Sequence, residues 1–157
     1  MALRLSTGFR NNLNTEGSVV DIMADGYIDF YAGSQPATAD AVETGTLLGT
    51  VTLASGAFTP GVATNGINMD LSTDGVLAKS VSEVWSFDGL AAASTGTVAG
   101  WFRWRENADT RGASTSFARI DGSIGTSSAY QMEMSNAVIV EDVSTIINSF
   151  SFAIPAS

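Results

Sequence analysis

The stretch TVAGWFRWR, residues 97–105, decides the fold. Val98, Gly100, Phe102 and Trp104 share one parity, and Ala99, Trp101, Arg103 and Arg105 share the other. A period of two, with aromatic and β-branched residues, predicts a strand rather than a helix. Phe102 and Trp104 then belong to the core. Two readings stand for the opposite parity. Trp101 and Arg103 are either anchors of an interface, where Trp and Arg are enriched, or a stack of Arg103 on Trp101 across an exposed face. Stacking of a sugar or a single strand on the same aromatics is a further option.

The same period recurs outward from this strand. Ile28, Phe30 and Ala32 alternate with Tyr27, Asp29 and Tyr31, and Leu47, Val51 and Leu53 alternate with Thr50 and Thr52. Ile67, Met69 and Leu71 follow the rule, as do Val81, Trp85 and Phe87, although Glu83 shares their parity and needs a partner. Residues 117–120, 130–134, 138–140 and 145–154 complete eight or nine expected strands. Asp-Gly pairs at 25–26, 74–75, 88–89 and 121–122 read as turns between them. Uneven spacing leaves no repeat. Before Tyr27, Leu3, Leu5, Phe9 and Leu13 make a rough apolar stripe, with Ser6 or Thr7 and then Ser18 as helix caps. The expected fold is all-β, a β-sandwich of jelly-roll type over residues 27–157. A short N-terminal helical or extended arm spans 1–26.

Candidate chemistry is sparse. The 157 residues contain no Cys and no His, which excludes a disulfide scaffold, a Cys/His zinc site and any nucleophile–histidine pair. Glu141-Asp142, Asp70 with Asp74, and Glu106 with Asp109 could each form a carboxylate pair for glycoside hydrolysis, but acids in Gly-rich loops are more often turn formers. Glu106 to Thr110 offers oxygen ligands for calcium without the EF-hand spacing. Arg105 and Arg111 flank it and can pair with the same acids. The expectation is no catalytic residue, no enzyme activity, no cofactor and no required metal.

Seven Lys plus Arg against sixteen Asp plus Glu give a net charge of −9. That balance argues against nucleic acid, which needs a basic stripe. No window approaches the ~20 apolar residues of a membrane helix, and the start MALRLSTGFRNN lacks the apolar core of a signal peptide. Charged residues are only 15%, and Ala, Ser, Thr and Gly make up 72 positions. Either neighbours cover much of the outside, or a Thr/Ser-rich β surface replaces charge.

Three stretches carry a resemblance: ALRLSTGFRNNL (2–13), ADGYIDFYAGSQPATAD (24–40) leading to TGTLLGTVTL (44–53), and AGWFRWRE (99–106) with RIDGSIGTSSAYQMEMSNAVIVEDVSTIINSFSFAIP (119–155). In order and texture they resemble small structural virion proteins of tailed bacteriophages, of the head decoration or cement type. The resemblance implies a protein made in the host cytoplasm and carried on the capsid exterior. Its partners would be the major capsid protein and copies of itself, as a homo-oligomer and first a trimer. Tail-tube and head–tail connector proteins are the alternatives, and a carbohydrate-binding β module is the competing class. It carries over no catalytic residue. Arg4, Phe9, Arg10, Trp101 and Arg103 are the expected interface residues, with the N-terminal segment ordering against the shell or a neighbouring copy. The simpler alternative is that residues 1–14 pack on their own domain.

Overall fold

Alternation along three adjacent strands builds the centre of the molecule. The structure is a computed structural model that describes residues 3–71 and 75–153. In chain order its elements are β1 (Arg4–Leu5), α1 (Thr7–Thr15), α2 (Val19–Ile22), β2 (Tyr27–Tyr31), β3 (Leu47–Leu53), β4 (Met69–Leu71), β5 (Val76–Lys79), β6 (Trp85–Asp88), a 3-10 turn (Ala91–Ala93), β7 (Thr97–Val98), β8 (Trp101–Arg105), β9 (Arg119–Gly125), β10 (Met132–Glu133), β11 (Val138–Ile139), β12 (Ser144–Ile147) and β13 (Ser151–Ala153). The chain is all-β apart from these short helices.

The large sheet runs β1-β9-β8-β2-β3-β6-β12, and β10 adds to β9 in parallel beyond β1. A three-stranded sheet, β13-β5-β4, lies apart from it, and β11 pairs with β7. Ile28 and Phe30 of β2, Phe102 and Trp104 of β8, and Ile120 and Ile124 of β9 join one buried apolar cluster. Phe152 and Leu77 of the three-stranded sheet belong to the same cluster. Phe150 and Phe152 meet Trp104 edge-on, at 5.9 and 6.5 Å between ring centroids. Such a T-shaped approach sets the positive ring edge against the negative face.

Several expectations shift. The strand expected over 97–105 breaks at Ala99-Gly100: the Ala99 amide donates to Ala137 and the Gly100 amide to Tyr31. Asp121-Gly122 is not a turn but the middle of β9. Asp121 lies opposite Arg103 there, and a Cβ on Gly122 would sit 2.6 Å from the Phe102 ring. Val81 belongs to no strand and is 97% exposed, and Leu53 is only half-buried. The segment 145–154 divides into β12 and β13, while Asp74, Gly75's expected turn partner, and Ile154 lie outside the described residues.

The N-terminal residues dock on the sheet rather than project from it. Ser6 caps α1 by accepting the Phe9 amide, and its hydroxyl also donates to Phe117 and accepts from the Arg119 amide. Phe9 is buried, and Ser18 and Asp21 form a capping box on α2. Residues 3–26 thus share the core of the β elements, so the expected division between 26 and 27 marks no gap in packing.

Candidate functional site

The second face of β2, β8 and β9 carries charge where a solvent-facing surface was expected. Side chains alternate along a strand, so Tyr27, Asp29 and Tyr31 of β2 point one way. Register sets them beside Arg105, Arg103 and Trp101 of β8, and these beside Arg119, Asp121 and Ser123 of β9. Two long connections, residues 32–46 and 106–118, roof this face. A Cβ on Gly45 would stand 1.8 Å from the Ala32 carbonyl oxygen, so the first connection can close only on glycine, whose φ is +82°. Asp40 fastens it to α1, accepting from the Thr7 amide at 2.8 Å and the Thr7 hydroxyl at 2.7 Å. The Ser114 amide donates to the Asp40 carbonyl and ties the two connections together.

Under this roof four arginines meet four carboxylates. Asp121 accepts two bonds from Arg103, both 2.7 Å. Asp109 accepts a similar fork from Arg119, at 2.7 and 2.8 Å, and a third bond from Arg105 at 2.8 Å. Asp29 accepts from Arg111 Nε and Nη2, both at 2.9 Å, from Arg105 Nε at 2.8 Å and from the Thr50 hydroxyl at 2.7 Å. Glu43, from the first connection, receives Arg103 and Arg105 together with the Gly112 amide. The side chains of Arg103, Arg105, Arg119, Asp29, Asp109 and Asp121 are fully buried, while Arg111 stands 42% exposed at the margin. Forked arginine–carboxylate bonds are the strong, directional kind of charge-assisted hydrogen bond.

Charge and burial compete at each acid. Burial raises the Glu43 carboxyl, but the hydrogen bond from Arg105 and the charges of Arg105 and Arg103 outweigh it and bring its pKa down to about 2. Asp109 is likewise pushed up by burial, yet Arg119 and Arg105 hold it below the ordinary value. At Asp121 burial prevails over Arg103, and its pKa is raised. Burial also raises the phenols of Tyr27 and Tyr31. Both therefore stay neutral, and the Tyr27 hydroxyl donates to the Asp109 carbonyl at 2.6 Å.

This arrangement corrects three expected interface residues. Trp101 and Arg103 have no exposed surface, because the roof lies over them, and Phe9 is 1% exposed in the core. Arg103 does stack on Trp101, at 5.5 Å, but inside the protein, where Trp101 itself stacks on Tyr31. Arg10 is exposed, and Arg4 is half-buried with a guanidinium donor on the Pro36 carbonyl. All three tryptophans are at most 1% exposed, which takes them away from any sugar or base. The Glu106–Asp109 pair separates in role: Asp109 is occupied by arginines of its own chain, so its oxygens are committed before any ion arrives. Asp142 forms an exposed turn with φ of +55°.

The strand pattern carries a signal for this pairing. Tyr-x-Asp-x-Tyr, Trp-x-Arg-x-Arg and Arg-x-Asp-x-Ser put opposite charges on one parity of three strands. Lone charges at such spacing mean a solvated face; complementary charges on neighbouring strands mean a paired one. Four of the seven cations and four of the sixteen carboxylates are consumed in this way. Arg4, Arg10 and Lys79 are left against twelve carboxylates, so the balance of −9 belongs to residues outside this network. No family model, curated protein or solved structure matches the chain.

Proposed function

We propose that the chain is a structural virion protein of a tailed phage, a capsid decoration (cement) protein that stabilises the head shell from outside. It acts as a homo-oligomer, first a trimer, on the major capsid protein, and its sandwich is of the jelly-roll type. The observation that carries this reading is the allocation of charge. The four arginines and four carboxylates of the network balance one another, while the three cations and twelve carboxylates outside it suit a site away from packaged DNA. Like charges across a Debye length of ~10 Å would oppose placement inside the head. Burial of all three tryptophans weighs against the carbohydrate-binding alternative. A tail-tube or connector role shares the same chemistry and separates only by position.

The test is to add purified protein to heads of the parent phage that lack it and image them by electron microscopy. Density on the outer shell, with a higher melting temperature of the heads, supports decoration. Absence of binding to heads, or density confined to the tail, overturns it.

A further inference from the structure

β12 ends the large sheet, and among the described residues its outer edge pairs with no strand. Natural sheets usually guard such edges with Lys, Pro, a bulge or a covering loop. The sequence Ser144-Thr145-Ile146-Ile147 uses none of the first two, and Ile146 is 56% exposed. Beside it lies a groove of about 660 Å³ whose walls come from both margins of the large sheet, Glu133 of β10 on one side and β12 on the other. Val138, Val140, Val143 and Ile146 supply its apolar patches among Ser, Thr and Asn side chains. Past Glu133, Asn148 and Ser149 it continues into a second cleft of about 520 Å³, beside Tyr130 and Val81. The first part contains no cation among its lining residues, and Glu141 and Asp142 stand exposed in the chain between Val140 and Val143.

We infer that this groove is a docking site for an extended, basic segment of a partner protein, which adds to the free edge of β12 as a further strand. Main-chain bonds to the edge supply register-independent affinity, and alternate side chains choose the partner. Apolar residues of the segment enter between Val138, Val143 and Ile146, and the intervening Lys or Arg residues meet Glu133, Glu141 and Asp142. At ~3.3 Å per residue, four residues of the segment match the edge Ser144–Ile147, and an eight-residue segment runs on along the groove past Asn148 and Ser149. A second copy of the chain fits this groove poorly, because it brings the same three acids, and nucleic acid is repelled by them. The inference stands apart from the decoration reading, since it concerns the chemistry that the groove accepts and not the particle that holds it.

Fluorescein-labelled octapeptides test it against the full chain by anisotropy: alternating Lys-Val, alternating Glu-Val, and Lys-Val with N-methylated alternate amides. The expected result is saturable binding of the Lys-Val peptide alone, weakened by salt. Its amide shifts in the protein should fall within residues 133–149. Binding should drop at least tenfold for V143K/I146K, whose side chains are exposed and whose melting temperature should match wild type. If that variant fails to fold, the shift map on the wild-type chain decides. Equal binding to the variant, equal binding of the N-methylated peptide, shifts outside the groove, or no saturable binding overturns the inference. So does self-association in ultracentrifugation that I146K abolishes, since a second copy would then fill the groove.

Discussion

The two faces of β2, β8 and β9 use the same backbone and solve burial in opposite ways. On one face Ile28, Phe30, Phe102, Trp104 and Ile120 are held by many contacts that are each weak and large only in sum. On the other, Asp29, Arg103, Arg105, Arg119 and Asp121 are equally buried but hold only if every partner arrives in its place. Desolvating charges is expensive, and their attraction repays it only with good geometry and satisfied hydrogen bonds. The apolar face therefore contributes bulk stability. The charged face contributes selectivity: it accepts one path for the connections 32–46 and 106–118, because Glu43 and Asp109 must land on particular guanidinium groups.

The largest break comes at the centre of the charged face. Arg105 bonds Asp29, Glu43, Asp109 and the Tyr31 hydroxyl. Arg105→Met leaves three carboxylates each short of one guanidinium, and should cost about 5 kcal/mol or abolish cooperative unfolding, read by chemical denaturation. On the apolar face, Phe102→Ala should cost ~3–5 kcal/mol in the same assay. If Phe102→Ala proves the more damaging by a wide margin, the contrast between the faces is wrong.

Acid distinguishes the faces next. Glu43 is held down, to about 2 in the folded chain against 4.5 as its ordinary value. Its contribution, on the order of 3 kcal/mol, is full above pH 4.5 and disappears as pH falls towards 2. Asp109, also lowered, acts with the same sign; Asp121, raised, acts against it by taking up a proton more readily when folded. Melting temperature should fall between pH 4.5 and 2, and Glu43→Gln should flatten that part of the profile. An unchanged slope in the variant removes Glu43 from the account.

How much of this was legible depends on the distance to each partner. Parity alone placed Phe102 and Trp104 in the core, and local capping chemistry offered Ser6 or Thr7, of which the structure uses Ser6, and Ser18 at helix starts. Parity also put Trp101 and Arg103 on one face but could not say what lay above it. Glu43 is 60 residues from Arg103, and Asp29 is 76 from Arg105, so the roof is a tertiary event. Asp121-Gly122 failed for a related reason. The pair has turn chemistry, but a guanidinium across the sheet and a ring needing room at Gly122 keep it extended.

Smaller effects sharpen the comparison. Arg103→Lys keeps the charge and loses the fork on Asp121, and should cost about 1–2 kcal/mol. Melting in EDTA and in calcium should coincide, because the Asp109 oxygens are occupied by Arg119 and Arg105. A calcium-dependent rise of several degrees would mean that the 106–109 loop can open to bind an ion.

The central claim is that the charged face is held by mutual, buried pairing, and a double-mutant cycle between Arg103 and Asp121 tests it most directly. Arg103→Met is expected to lose ~3–5 kcal/mol, since it strands the buried Asp121, and Asp121→Leu less, since Arg103 keeps Glu43. Together they remove both charges of one forked pair, so the double variant should be more stable than the sum of the single losses implies, with a coupling of at least ~2 kcal/mol. Additivity within ~0.5 kcal/mol would contradict the account, because it would mean that the two groups do not depend on each other for burial.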